Sequence, residues 1–244
     1  MGSKTLKELY EDPKLDIQNI GESIGRWLAR LHTSTTNDEV KRPFDHPVAK
    51  SMYRWNYNNL SSVLLKYGFD PTLGERINTK YGALLQTDDV CICHGDMWPG
   101  NVLFPDFGTG EEKLNFAIID WEVARLGNGV TDVGHFAGEV WFLDRLRGGR
   151  GLLGAFLVGY VGERKLGPGE RVRVAAQFGT HVTFWPTIYV SLGKINPFVD
   201  IQDSLILFPS SEVDSYRGQK GVYRIWELYF GESRQERLGM VQER

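Results

Sequence analysis

Residues 94–101 read His-Gly-Asp-Met-Trp-Pro-Gly-Asn, and they carry the strongest indication of the fold in this chain. Short apolar runs at 90–93, 101–104 and 116–119 surround this segment, each stopped by polar, glycine or proline residues. Such runs are typical of short strands, and the composition of residues 105–110 is typical of a turn. The pattern therefore predicts strand, loop, strand, turn and strand in that order.

A second polar segment, Ile-Ile-Asp-Trp-Glu at 118–122, closes the third run. In the predicted arrangement Asp120 lies beside Asp96, which could accept the proton of an attacking hydroxyl. Asn101 and Asp120 offer the hard oxygen ligands that Mg²⁺ prefers. Phosphoryl transfer requires mainly a positioned nucleophile and neutralisation of spread charge by metal ions. These residue types in this order therefore favour phosphoryl transfer.

The two segments together resemble those of the aminoglycoside phosphotransferase and choline kinase family of small-molecule kinases. Residues 24–32 resemble the helix that opens the C-terminal lobe in that family, and residues 5–10 the stretch after the hinge between its lobes. The resemblance implies an α+β, mainly helical fold. We expect a protein-kinase-like C-terminal lobe with a small β element around the catalytic loop.

The resemblance also implies roles for individual residues, with Mg and ATP as cofactors. Asp96 takes the role of the catalytic base, and Asn101 and Asp120 take the metal-binding roles. His94 and Asp132 are expected to support the loop. For Glu122, metal ligand and support both stay open.

The residues before His94 do not read as a nucleotide-binding lobe. Asp16 can cap a helix whose apolar residues recur at three- and four-residue steps, namely Ile17, Ile20, Ile24, Trp27, Leu28 and Leu31. The upstream lysines lie in polar or helical stretches, where an exposed amine is the usual outcome. The Gly-x-Gly-x-x-Gly pattern at 149–154 follows the metal motif and reads as a helix break. We therefore expect the N-terminal nucleotide lobe to be absent.

Length and composition predict one domain over residues 1–244. The resemblance implies a catalytic segment at about 90–135 and a helical, aromatic-rich substrate-side part at about 136–232. The chain is 41% hydrophobic and 24% charged, with a formal charge of -3, which disfavours nucleic acid and anionic membranes as partners. No membrane-spanning or signal segment is evident, so a cytoplasmic location is expected. We interpret Cys91 and Cys93 as buried thiols, and assign no metal to the remaining histidines, His32, His46, His135 and His181.

The segment from 181 to 208 is rich in aromatic residues and contains only two carboxylates, Asp200 and Asp203. A polycationic aminoglycoside would favour an acidic cleft, so we expect a neutral or apolar small-molecule substrate. Candidate pocket residues are Trp141, Phe184, Trp185, Tyr189 and Phe198. The alternative is that these side chains belong to the core.

Three functions remain open on the sequence alone. The preferred one is Mg-ATP-dependent phosphorylation of a hydroxyl, with the nucleotide lobe supplied by an upstream segment, a partner chain or an oligomer. The second is a repurposed C-lobe that needs no cofactor and promotes a reaction such as the cyclisation of an apolar metabolite. The third is a small-molecule binder without catalysis.

Overall fold

The structure, a computed structural model, describes residues 3–105 and 115–190, and of residues 186–190 only the backbone. The described residues form a mainly helical α+β fold, as the sequence predicts. The helices are α1 (Leu6–Leu9), α2 (Ile17–Ser34), α3 (Asp38–Lys41), α4 (Pro47–Lys66), α5 (Pro71–Ile77), α6 (Val130–Leu146), α7 (Leu152–Glu163) and α8 (Pro168–Val190). The strands are β1 (Lys4–Thr5), β2 (Cys91–Cys93), β3 (Val102–Phe104), β4 (Ala117–Ile118) and β5 (Arg125–Gly127).

All three predicted strands are present, in shortened form, as β2, β3 and β4. Two further strands were not predicted: β1 pairs antiparallel with β3, and β5 pairs antiparallel with β2. The first sheet has the order β1-β3-β4, and the second contains β2 and β5. Because β2 leads into the 94–101 loop and β3 leaves it, the two sheets hold both ends of that loop.

Helix α2 forms as its apolar spacing predicts. The Asp16 carboxylate accepts a hydrogen bond of 3.0 Å from the backbone N–H of Asn19, which caps the helix. Ile17, Ile20, Ile24 and Leu28 are buried in the main core, and Trp27 and Leu31 pack against its edge.

Helices α2 and α7 approach each other closely along two glycines. A Cβ on Gly25 would lie 2.1 Å from the carbonyl oxygen of Phe156, and one on Gly159 would lie 2.1 Å from that of Glu22. Only glycine fits at such a distance, so both positions require it. This contact ties the helix that precedes the catalytic loop to the helical part that follows it.

The glycine-rich segment at 149–154 is a helix break, as predicted, because α6 ends at Leu146 and α7 begins at Leu152. Asp144 caps the new helix, since its carboxylate accepts the backbone N–H groups of Gly151, Leu152 and Leu153 at 3.1, 3.3 and 3.0 Å. No nucleotide is needed to explain this segment.

Helix α8 packs against α6 and α4. Gly134 and Gly138 allow the close contact with α6, because a Cβ at either position would meet α8 side chains at 2.6 and 2.8 Å. Among the helices that the structure describes, none has a long enough apolar stretch to cross a bilayer. Ahead of the catalytic loop, residues 3–93 contain no separate β-rich lobe. Of the predicted turn at 105–110, only residue 105 is among the described residues. The region after residue 190 lies outside them.

Candidate active site

Asp96 and Asn101 are joined inside the loop between β2 and β3. The Asn101 side-chain Nδ2 donates to the backbone carbonyl of Asp96 at 2.9 Å and to its carboxylate Oδ2 at 3.0 Å. The loop can close because residues 99–101 form a 3₁₀ turn, in which the backbone N–H of Asn101 donates to the carbonyl of Trp98 at 2.9 Å. Both hydrogens of the Asn101 amide are therefore used, and its Oδ1 is left as an acceptor or ligand.

Burial raises the pKa of the Asp96 carboxyl above its ordinary value. The hydrogen bond from Asn101 and the electrostatic interaction with the His94 ring lower this pKa, whereas the carboxylates of Asp120 and Glu139 raise it further. The net direction is upward, so Asp96 holds a proton more tightly than an exposed aspartate does. A carboxylate of that kind is a stronger general base at neutral pH.

His94 links the loop to the end of β4. Its Nε2 donates to the carbonyl of Ile119 at 2.9 Å, and its Nδ1 accepts the backbone N–H of Asp96 at 3.2 Å. The backbone N–H of Ile119 in turn donates to the carbonyl of Asn101 at 3.0 Å. These bonds bring the residue that follows Ile119 beside the catalytic loop.

Asp120, which follows Ile119, is exposed and has a backbone φ of 67°. No other non-glycine residue among those the structure describes has a positive φ. This conformation is uncommon, although aspartate and asparagine tolerate it best, and it often accompanies a functional role. Glu122, two positions on, is exposed on the same segment.

Asp132, at the start of α6, holds the beginning of the loop. Its side chain is fully buried and accepts the backbone N–H groups of His94 and Gly95 at 2.6 and 3.1 Å. Burial alone would raise the pKa of Asp132, but the hydrogen bond from His32 and the electrostatic interactions with His32, Arg125 and His94 hold it well below its usual range. The carboxylate therefore stays ionised in the interior.

His32 completes this support and was not predicted from the sequence. Its Nε2 donates to Asp132 at 3.2 Å, and its Nδ1 lies 2.9 Å from the hydroxyl of Tyr160 on α7. The available signal was its position on α2, four residues after Leu28 and on the buried stripe. A histidine placed there needs polar partners in the interior.

Arg125 on β5 is a second support that sequence reasoning missed. It is 1% exposed, its guanidinium lies 3.9 Å from the centre of the Tyr53 ring, and its Nη2 donates to Thr131 at 3.0 Å. Gly95, with φ of 86°, lets the loop pass the segment that leads into β5, because a Cβ there would lie 2.3 Å from the carbonyl oxygen of Val123.

Comparison with known proteins identifies the family. The family model described as "Phosphotransferase enzyme family" matches residues 3–169, which include every loop residue and support described above. The chain belongs to this family. Its mainly helical α+β fold is that of a kinase-like C-terminal lobe.

Two curated relatives in the phosphotransferase family are 4-hydroxytryptamine kinases. The one from Psilocybe cyanescens is 25% identical over 174 residues, which cover 68% of this chain and 48% of the relative. The one from Psilocybe cubensis is 24% identical over 175 residues, with the same two shares, 68% and 48%. The chain thus spans about half the length of the curated relatives it matches.

A solved structure of spectinomycin phosphotransferase APH(9)-Ia, in complex with ADP and spectinomycin, also matches the chain. The TM-score is 0.43 at 16% identity, and the match covers 87% of this chain and 70% of that one.

The two cysteines of this phosphotransferase-family chain are buried free thiols, as predicted. With His32 they form a cluster in which one ligand atom from each residue lies within 4.8 Å of the others. Both ring nitrogens of His32 already have hydrogen-bond partners, in Asp132 and Tyr160. We therefore interpret this cluster as part of the buried support.

The candidate pocket residues fall in different surroundings. Trp141 belongs to the main core, where it makes an edge contact with Phe178 at 6.3 Å. Phe184 is buried and contacts Trp55 of α4 edge-on at 4.9 Å, whereas Trp185 is partly exposed. The side chain of Tyr189 and the whole of Phe198 lie outside the described residues. The family match ends before these α8 residues, at residue 169.

Proposed function

We propose that the protein is a small-molecule phosphotransferase that moves the γ-phosphoryl group of ATP to a hydroxyl of a metabolite that is not a polycation. The observation that carries this proposal is the bonded pair of Asp96 and Asn101 beside Asp120, in a chain of the phosphotransferase family. A loop kept only as scaffold would need neither the exposed carboxylate of Asp120 nor its left-handed backbone.

Asp96 acts as the general base in this proposal. It accepts the proton of the acceptor hydroxyl as that oxygen attacks phosphorus, and the bond to the leaving ADP oxygen breaks. Asn101 fixes the direction of the carboxylate through its two donated hydrogen bonds. The upward shift in the pKa of Asp96, caused mainly by burial, increases the strength of its carboxylate as a base.

The donor set fits a magnesium ion. The free Oδ1 of Asn101 and the exposed carboxylate of Asp120 are hard oxygen ligands of the kind Mg²⁺ takes together with waters and nucleotide phosphates. Asn101 and Asp120 would hold it, and Glu122 is a further candidate. A bound Mg²⁺ supplies neutralisation of phosphate charge.

The nucleotide site needs residues beyond those the structure describes. Phosphotransferases of this kind cover the nucleotide with a β-rich lobe that carries a lysine. In our proposal this lobe comes from a further segment of the enzyme or from a partner chain. The extent of the match, about half of each curated relative, is consistent with such a division.

The acceptor in this proposal is small and largely apolar. The first compound to test is 4-hydroxytryptamine, after the name of the two relatives. The exposed Trp55 on α4 and the partly exposed Trp185 on α8 supply aromatic surface where an aromatic acceptor could stack, and the buried Phe184 contacts both rings. Trp141 packs within the core, so we expect its effect on substrate binding to be indirect.

A second candidate function is a reaction of an apolar metabolite without phosphoryl transfer. The observation that favours it is the aromatic surface where α4 meets α8, formed by the exposed Trp55 and the partly exposed Trp185, which could hold an apolar molecule without a nucleotide. Product analysis separates the two candidates. We expect mass spectrometry to show an acceptor heavier by one phosphoryl group, formed only with both ATP and Mg²⁺. A product formed equally well in chelator without ATP would favour the second candidate.

A further inference from the structure

Helices α6 and α8 bring together three potential metal ligands outside the catalytic loop. His135 and Glu139 lie four residues apart on α6, and His181 faces them from α8. One ligand atom from each of the three residues lies within 4.8 Å of the other two. The two imidazole rings are 4.2 Å apart between centres.

We propose that His135, Glu139 and His181 bind a divalent transition-metal ion of the zinc type. Two imidazoles and one carboxylate form a donor set that suits Zn²⁺ and leaves a coordination position for water or another ligand. The set differs in kind from Asn101 and Asp120, which offer only oxygen. The two sites would therefore select different ions.

The hydrogen bonds of His135 leave the correct nitrogen free for this role. Its Nδ1 lies 2.9 Å from the hydroxyl of Tyr53, and that hydroxyl lies 3.3 Å from the carbonyl of Thr131. The carbonyl can only accept, so all three groups are satisfied together when the tyrosine donates its proton to the carbonyl and His135 Nδ1–H donates to the tyrosine oxygen. The Nε2 then carries the lone pair. Metal-binding histidines commonly use their second nitrogen in this way.

His181 and Glu139 are already in contact. The Nε2 of His181 lies 2.7 Å from Oε1 of Glu139, and its Nδ1 is buried without a partner among the described residues. A metal ion would replace the proton between them, which moves to Nδ1 or to solvent. The two ligand atoms would then separate to roughly 3.3 Å, as expected for bonds of about 2.0 Å at a tetrahedral angle.

Gly138 makes this cluster sterically possible. A Cβ at that position would lie 2.8 Å from Cδ2 of His181, so a larger residue would push the ring away from Glu139. An ion held by both helices would join them, and it would stabilise the folded state as its free concentration rises.

Metal binding can be measured without nucleotide, so the result does not depend on the proposed phosphoryl transfer. The full-length protein, purified without a histidine tag and stripped with chelator, is titrated with Zn²⁺ in competition with a chromogenic chelator and in excess Mg²⁺. We expect one equivalent to bind tightly and to raise the melting temperature. His181→Gln and Glu139→Gln should each weaken binding at least tenfold. His46→Gln, at a surface histidine before α4, should bind as the wild type does.

A second readout uses Co²⁺ in the unaltered protein and so does not depend on the variants folding. An intense visible absorption, typical of four or five ligands, without the near-ultraviolet charge-transfer band that cysteine thiolates give, supports the proposal. The weak spectrum of a hydrated six-coordinate ion would overturn it. Equal Zn²⁺ affinity in the wild type and both cluster variants, with all three folded by circular dichroism, would overturn it too.

Discussion

The Nδ2 of Asn101 lies 3.0 Å from the Oδ2 of Asp96 and 2.9 Å from the backbone carbonyl of the same residue. One amide therefore fixes both the loop backbone and the carboxylate at its centre. A substitution at Asn101 that keeps the size of the side chain but replaces its hydrogen-bond donor with an acceptor tests this relationship.

Asn101→Asp replaces both donated hydrogen bonds with a second carboxylate about 3 Å from the first. We expect the free energy of unfolding at pH 7 to fall by about 2 to 4 kcal/mol, because like charges and lost bonds act together. The loss should shrink at lower pH, since protonation of one carboxyl restores a donor. Urea unfolding at several pH values measures this. Asn19→Asp, on an exposed position of α2, serves as the matched control and should change little.

Two substitutions at Asp120 distinguish the effect of its negative charge from the effect of its left-handed backbone conformation. Asp120→Asn removes the charge but tolerates the φ of 67°, so we expect stability to stay within about 0.5 kcal/mol and Mg-dependent nucleotide binding to weaken at least tenfold. Asp120→Val should also lose about 1 to 3 kcal/mol of stability, because a β-branched residue is strained there. Calorimetric titration and thermal unfolding distinguish the two effects. Equal nucleotide binding by wild type and Asp120→Asn would contradict the metal role.

Asp132 should make the protein sensitive to acid. Its pKa is lower in the folded state than in the unfolded state, so its stabilising contribution is present above the unfolded pKa of about 3.9 and is lost as pH falls from there toward the folded pKa. Asp132→Asn should cost about 3 to 5 kcal/mol at pH 7, because buried His32 and Arg125 lose their anionic partner. The difference in the free energy of unfolding between wild type and Asp132→Asn should become smaller as the pH falls from 5 to 3. A difference that stays constant over that range would contradict the assignment.

The sequence predicted the features that depend on neighbouring residues. The runs around His94 identified three strands, the stripe led by Ile17 identified α2 with its Asp16 cap, and the glycines at 149–154 identified a break. Each of these follows from local preference and spacing along the chain. The family resemblance then assigned roles to residues of the loop.

Features that depend on distant contacts were not predicted. Strand β5 exists because Arg125 to Gly127 pair with β2, and β1 because Lys4 and Thr5 pair with β3. Two- and three-residue strands carry too little pattern to be recognised alone. His32 at the end of α2 meets Asp132 at the start of α6 only in the folded protein, because the two residues lie 100 positions apart in the chain. The same limit hid the cluster of His135, Glu139 and His181, because His181 on α8 meets the two α6 residues only in the folded protein.

The contact between α2 and α7 should be intolerant of a single methyl group. Gly159→Ala would place a carbon 2.1 Å from the carbonyl oxygen of Glu22, and we expect at least about 3 kcal/mol of destabilisation as the helices separate. Gly162→Ala, on the same helix, meets nothing within 4 Å and should be neutral or stabilising by up to about 1 kcal/mol. Thermal unfolding of both variants tests the contrast. Similar melting temperatures would show that the close contact is wrong.

The central claim, that Asp96 is the base of a phosphotransferase, is tested most directly by phosphoryl transfer in the Asp96→Asn variant. The full-length enzyme, with ATP, Mg²⁺ and an acceptor such as 4-hydroxytryptamine, is assayed by mass spectrometry of the phosphorylated product. The amide oxygen introduced by this substitution can still accept the hydrogen bond from Asn101, so the variant should fold. We predict that the rate falls by a factor of about 10² to 10⁴. The control variant Asp89→Asn, at an exposed position, should keep the wild-type rate. Product formation by Asp96→Asn at the wild-type rate would contradict the account.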